Sequence, residues 1–298
     1  LNESQTRKAI KGMFDQYVPP AHIDAMLDDP DNYNFDGESK ELSVLFADIR
    51  NFTTISEGLT AVQLKKMLNE FFTPITGIIF DQHGTIDKYV GDMVMAFWGA
   101  PIDDENHRQH AVEGALQMLE KVEELKPHFE SQGLPEVAIG VGINSGLMNV
   151  GDMGSTYRRS YTVLGDAVTL GSRLEMITKV YGVKLLIGEQ TYDHLDGYLC
   201  RLVDKVQVKG KEQSIRVYEP LCQKKDASEE MIAKVDVYER AHKKYVEQNW
   251  DEADKMFREL SENEPDTKLY QVYLERISTL RNEELEEDWD GTFRFTTK

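Results

Sequence analysis

Cysteine is nearly missing from this sequence: Cys200 and Cys222 are the only two in 298 residues. They form no CxxC pair, so they build neither a disulfide framework nor a four-cysteine zinc site, and a reducing, cytoplasmic compartment fits. Long apolar runs are missing too. The best candidate, around Met93 to Ile102, is broken by Gly99 and Pro101 and falls short of the roughly 18 residues a membrane span requires. Basic residues are scarce, with 34 Lys and Arg against 53 Asp and Glu and a formal net charge of −19. Phosphodiester backbones are bound by clustered cations that release their counterions, so nucleic acid is excluded as a partner. Polyphosphate nucleotides are not, because a divalent ion neutralises such a ligand locally. The chain also lacks a GxxxxGK(S/T) phosphate loop and an HExxH helix, Gly140 and Gly142 do not complete GxGxxG, and the seven histidines show no ligand spacing.

What is present is an ordinary globular composition, 40% hydrophobic and 29% charged, long enough for one large or two modest domains. The chain opens on Leu1 in polar, helical sequence and reads as part of something longer, with any sensor or membrane tether upstream. Ile10, Met13, Phe14, Tyr17 and Val18 recur at helical spacing, and Pro19-Pro20 should end that helix. Glu41 to Ile49 contains the unbroken run Val44-Leu45-Phe46-Ala47 and predicts a central strand ending at Asp48. Thr60 and Gln63 form a capping box ahead of a helix whose face runs from Leu64 to Ile79. Thr85 to Trp98 predicts two strands joined at Gly91-Asp92, followed by a helix over about Glu105 to Glu130. Val137 to Asn144 and Met148 to Gly151 read as two strands about a turn at Asn144-Ser145-Gly146. Tyr161 to Leu164 is a further strand, and Asp166 starts a helix reaching Val180. Strands near Val183 to Ile187, Tyr198 to Val208 and Ser214 to Tyr218 complete an α+β fold of ferredoxin-like βαββαβ type with added strands. From Ser228 the sequence turns polar and helical, faintly like a tetratricopeptide pair, and a helical appendage is the simpler expectation. Three segments follow: N-terminal entry helices over 1–39, an α+β domain over 40–222 that the motifs below mark as the catalytic one, and a C-terminal helical segment over 223–298.

Three motifs carry the chemistry: Phe46-Ala47-Asp48-Ile49-Arg50-Asn51-Phe52-Thr53, Lys88-Tyr89-Val90-Gly91-Asp92 and Tyr161-Thr162-Val163-Leu164-Gly165-Asp166. As an ordered set they resemble the catalytic domains of bacterial-type class III adenylyl and guanylyl cyclases, over about Leu42 to Tyr218. That resemblance implies a homodimer that binds ATP in shared sites and forms cyclic AMP with two divalent cations, Mg²⁺ or Mn²⁺. Asp48, Asp92 and the carbonyl of Ile49 would be the metal ligands, suiting ions that take few carboxylates and complete their shell with substrate phosphates. One ion would acidify the ribose 3′-hydroxyl and the other hold the triphosphate for in-line displacement of pyrophosphate.

Lys88 and Thr162 would read the base. Adenine offers an acceptor at N1 and a donor amine at N6, and guanine reverses both, so a lysine donor paired with a hydroxyl acceptor favours ATP. Thr162 in place of the Asp common in these enzymes marks a subgroup with bicarbonate-responsive members, and a bicarbonate response is carried as an expectation. Arg173 matches the arginine aimed at the reacting phosphorus, and Lys209 matches the phosphate-binding lysine, with Lys211 the second candidate in that turn. Arg158 or Arg159 would reach the terminal phosphates. Thr169 stands where the family carries a ribose-orienting Asn, and this weakens the expected catalysis. The Gly-Gly-acidic-Glu-Phe signature of diguanylate cyclases is absent. A guanylyl cyclase and a catalytically weakened nucleotide-binding regulatory dimer remain as the alternatives.

Overall fold

The structure is a computed structural model describing residues 2–33 and 35–296. The chain divides into two compact units, Leu1–Glu175 and Met176–Lys298.

The first unit opens with helices α1 (Glu3–Phe14) and α2 (Pro20–Asp28). Pro19-Pro20 does not end the first helix, which has already stopped at Phe14. Pro20 instead lies in the first turn of α2, where a missing N–H costs nothing. Next come β1 (Glu38–Ile49), α3 (Phe52–Glu57) and α4 (Ala61–Asp81), the last fastened by the reciprocal Thr60–Gln63 capping box. The hairpin of β2 (Thr85–Val90) and β3 (Met93–Trp98) leads through α5 (His107–Ser131) to β4 (Ile139–Gly154) and β5 (Arg159–Leu164). Helix α6 (Asp166–Tyr181) starts in this unit and ends in the next. The strands run in the order β2-β3-β1-β4, with β5 on β4, and every pairing is antiparallel. This is the ferredoxin-like arrangement. Leu42 to Ala47 are all buried, as their unbroken apolar run requires of a central strand. Ile10, Phe14 and Val18 belong to the same cluster as Leu42, Val44, Phe46 and Tyr161, so the N-terminal helices are part of this core.

Strand β4 corrects the sequence reading. Asn144-Ser145-Gly146 makes no turn; the strand runs on for 16 residues and pairs with β1 without a break from Glu38↔Val150 to Ile49↔Ile139. The turn-forming residues serve inward polar contacts instead. Asn144 Nδ2 donates to the carbonyl of Ala167 at 2.9 Å, and Ser145 Oγ meets Ser43 Oγ at 2.7 Å. Ser43 in turn meets His107 Nδ1 at 2.6 Å, and His107 Nε2 lies 3.1 Å from Arg108. An arginine can only donate, so Nε2 accepts, Nδ1 carries the proton and His107 is neutral. Burial and the neighbouring Arg108 charge push its pKa down to about 4.

The second unit holds β6 (Leu185–Gly188), α7 (Glu189–Tyr192), β7 (Tyr198–Gln207) and β8 (Ile215–Gln223), then α8 (Glu229–Val246), α9 (Trp250–Asn263) and α10 (Lys268–Leu280). A two-residue strand β9 (Phe293–Arg294), too short to leave a sequence signal, pairs parallel to β7, giving the order β6-β8-β7-β9. The helices hold β7 through polar contacts: Tyr238 donates to the carbonyl of Val203 at 3.1 Å, Tyr273 donates to the same carbonyl, and Arg276 pairs with buried Asp204 at 2.7 Å. Among the described residues no helix is long and apolar enough to cross a membrane.

His242 on α8 is also buried, and burial lowers its pKa to about 4. For both histidines the folded pKa lies below the unfolded value near 6.5, so the unfolded chain binds more protons between those limits. Their stabilising contribution is complete above about pH 6.5 and is lost as pH falls toward 4. From pH 7 to pH 5 each should withdraw about 2 kcal/mol of unfolding free energy, measured by urea denaturation, and His107→Gln should remove roughly half of their combined pH dependence.

Candidate active site

At the end of β1, Asp48 pairs in register with Gly140 of β4 and Ile49 with Ile139. The β2–β3 hairpin reverses at Gly91, whose φ of 60° suits glycine, and so presents Asp92. Asp92 Oδ2 accepts the backbone N–H of Ile49 at 3.0 Å, which brings the two predicted carboxylates to adjacent positions. Asp48 Oδ1 is buried and has no hydrogen-bond partner. Buried acceptors are ordinarily satisfied, and a lone carboxylate oxygen beside a second acidic group suits a hard cation. Among the described residues no group of three or more His, Cys, Asp or Glu is placed to hold an ion. Asp48, Asp92 and the Ile49 carbonyl therefore fit a divalent ion that takes its remaining ligands from substrate and water.

Arg50 follows directly and had no role in the sequence reading. Its guanidinium stands 4.0 Å from Glu175 Oε1, and a Cβ at Gly140 would come within 2.5 Å of its Cζ. Burial lowers its pKa, opposed by the charges of Glu175 and Asp48, so it is a positive neighbour of the carboxylate pair.

A second cluster forms on β2 and β5. Thr162 donates its hydroxyl to Asp87 Oδ2 at 2.5 Å, and Lys88 Nζ lies 3.6 Å from Asp87 Oδ1. Lys88 and Thr162 therefore meet at one buried carboxylate that no motif singles out. Burial pushes the pKa of Asp87 up, while Thr162, Lys88 and the Val163 amide favour its charged form. The N-terminal helices brace both strands beside this cluster: Ile86 N–H donates to the carbonyl of Tyr17 at 2.7 Å, and the Phe14 and Tyr161 rings meet edge-on at 4.9 Å.

Arg173 and Thr169 lie one turn apart on α6. Arg173 is half-buried, and the exposed Thr169 donates its hydroxyl back to the carbonyl of Gly165 at 3.3 Å. Arg158 is exposed at the β4–β5 hairpin tip, where its backbone pairs with that of Ser155. Lys209 lies in the turn after β7 in the second unit, beside Gly210 with φ 85°.

The register relates the two clusters: Lys88 pairs with Met95, which pairs with Phe46 two residues before Asp48, while Asp48 and Thr162 both lie opposite β4. Asp48 faces Gly140 and Thr162 faces Gly151.

Residues 36–219 match the family described as the adenylate and guanylate cyclase catalytic domain. The chain is 33% identical over 216 residues to an adenylate cyclase of Anabaena cylindrica and 35% identical over 181 residues to adenylate cyclase 1 of Rhizobium meliloti. Those alignments take in 69% and 60% of this chain but 42% and 27% of the relatives, so the chain spans less than half the length of each. Among solved structures, that of the adenylyl cyclase CyaB from P. aeruginosa aligns over 65% of this chain and 100% of its own, with a TM-score of 0.61 and 33% identity.

Helix α6 lies close on β4 at Gly142, where a Cβ would fall 2.3 Å from the Glu175 amide nitrogen and 2.7 Å from the Gly171 carbonyl oxygen. Both are backbone atoms with little room to yield. Gly142→Ala should lower the unfolding free energy by about 1–3 kcal/mol, read as a drop in Tm by differential scanning calorimetry.

Proposed function

Because the chain belongs to the family of adenylate and guanylate cyclase catalytic domains, we propose that it converts ATP to 3′,5′-cyclic AMP and pyrophosphate in a crevice formed by two copies of itself. The observation that carries this reading is the Ile49 N–H to Asp92 bond, which sets a second carboxylate beside the unpartnered Asp48 oxygen. Two divalent cations held there, Mg²⁺ or Mn²⁺, would acidify the ribose 3′-hydroxyl and neutralise the triphosphate. The chain's own residues do the rest. Lys88 donates to adenine N1 and Thr162 accepts from the N6 amine. Arg173 directs its planar fork at the phosphorus as charge develops there, Lys209 and Arg158 hold phosphate oxygens, and Thr169 stands by the ribose.

The homodimer is part of this proposal and rests on the likeness to the cyclase catalytic domains. Each site would then take the carboxylate pair from one copy and Lys88, Thr162 and Arg173 from the other. A twofold axis then yields two equivalent sites. The second reading, a weakened catalyst acting as a nucleotide-binding regulator, is favoured by Thr169, whose hydroxyl proton is committed to Gly165.

Purified protein incubated with ATP or GTP and each metal should yield cyclic AMP with pyrophosphate, separated by chromatography. A bound but unconverted ATP would select the regulatory reading, and cyclic GTP as the main product would reverse the base assignment. Arg173→Ala should cost about 100- to 1,000-fold in kcat, equivalent to roughly 3–4 kcal/mol. Asp48→Ala and Arg173→Ala proteins, each inactive alone, should recover about a quarter of wild-type activity when mixed, because random pairing makes half the dimers mixed and each of those has one intact site of two. No recovery under subunit exchange would remove the shared site.

A further inference from the structure

Asp87 touches both residues assigned to the base. Its side chain is fully buried, while that of Lys88 beside it is 47% exposed. Three consecutive buried residues, Thr85, Ile86 and Asp87, replace the alternation expected of a strand, and the register shows an irregularity at the last of them. Ile86 pairs with Ala96 and Lys88 with Met95, so Asp87 is an extra residue bulged out of the β2–β3 ladder. A bulge re-aims a side chain, and here it turns a carboxylate inward toward β5. Burying that group costs desolvation free energy that an apolar residue would avoid, which argues for a task other than packing.

The task lies in the polarity of a hydroxyl. Threonine can donate or accept, so by itself Thr162 does not discriminate a donor amine from a carbonyl acceptor. An ionised carboxylate has no proton to give, so in the 2.5 Å contact Thr162 must donate to Asp87. What remains on the Thr162 oxygen is acceptor capacity alone. The same carboxylate holds the Lys88 ammonium, which can only donate. We propose that Asp87 is a positioning residue that sets the hydrogen-bond polarity of the base pocket: it commits the Thr162 proton and steers Lys88, leaving an acceptor for the adenine amine and a donor for N1. Guanine presents a carbonyl to the acceptor and an N–H to the donor, and both contacts are then repulsive. The inference rests on the nucleotide-site reading above but not on turnover.

The test measures binding and catalysis separately. ATP and GTP compete against a fluorescent N-methylanthraniloyl-ATP probe, with Mn²⁺ present, on wild type, Asp87→Asn, Thr162→Val and the double variant. Cyclic product formation is assayed on the same samples. The asparagine is isosteric, and its amide can donate to Thr162, which frees the hydroxyl proton to point elsewhere. Asp87→Asn should shrink the ATP-over-GTP preference in Kd by roughly 10- to 100-fold, chiefly by improving GTP, and should have a smaller effect in the Thr162→Val background, where only the steering of Lys88 is left to lose. Should Asp87→Asn fail to give a cooperative melt, Asp87→Ser, which also leaves Thr162 free to turn its proton, is held to the same expectation. A variant that weakens ATP and GTP equally, with the ratio intact, would show that Asp87 only supports the fold and would overturn the proposal. If wild type forms no cyclic product while Asp87→Asn still erases the binding preference, the cyclase reading fails and this one stands. If wild type cyclises ATP and the ratio does not move, the reverse holds.

Discussion

A backbone amide reaching a carboxylate, Ile49 N–H to Asp92, is the contact on which the proposed chemistry of this chain depends. It joins the reversal of one hairpin to the end of the central strand, and it does so by drawing two like charges together. Such pairs are unfavourable unless a proton or a cation relieves them. Asp48 keeps a buried oxygen without a partner, while Arg50 behind it supplies positive charge but donates no bond to that oxygen. The arrangement is therefore incomplete as a stable polar cluster and suited to a ligand that brings positive charge with it. An overall charge of −19 makes metal-assisted capture of a triphosphate the physically consistent route.

The long strand β4 carries a register position of each cluster. Its ladder with β1 places Asp48 toward one end, and its ladder with β5 places Thr162 toward the other. The N-terminal helices meet the second of these ends, through Tyr17 on β2 and Phe14 on Tyr161. Any movement of those helices would reach the Asp87 cluster directly, since Ile86 and Tyr161 are its immediate chain neighbours. The C-terminal helices serve a different part of the chain. Tyr238, Tyr273 and Arg276 converge on Val203 and Asp204 of β7, and Arg276 also lies 4.1 Å over the Phe293 ring. That buried, charged and aromatic network ties the polar helices to a strand within the span matched by the catalytic family.

Much of this was legible from residue order because it is local. The unbroken apolar run from Val44 to Ala47 marks a strand buried on both faces, the Thr60–Gln63 pair marks a helix start, and Gly91-Asp92 marks a reversal, each set by nearest-neighbour sterics and hydrogen bonding. The motif set around Asp48, Asp92, Lys88 and Thr162 was legible in a different way, through its resemblance to a known catalytic family. Other features were not local. Asn144-Ser145-Gly146 has turn chemistry, yet pairing with β1 and inward bonds to Ala167 and Ser43 outweighed it. Asp87 shows an ordinary alternating context in sequence, and only the missing partner opposite it in the β3 ladder turns it inward. By itself, then, the sequence determined which short segments form strands and helices, because those depend on composition and spacing over a few residues, and through its motif order it determined the family. Only the tertiary structure decided that Asp92 meets the backbone at the end of β1 and that Lys88 and Thr162 share one buried carboxylate, because those facts come from register between segments distant in the chain.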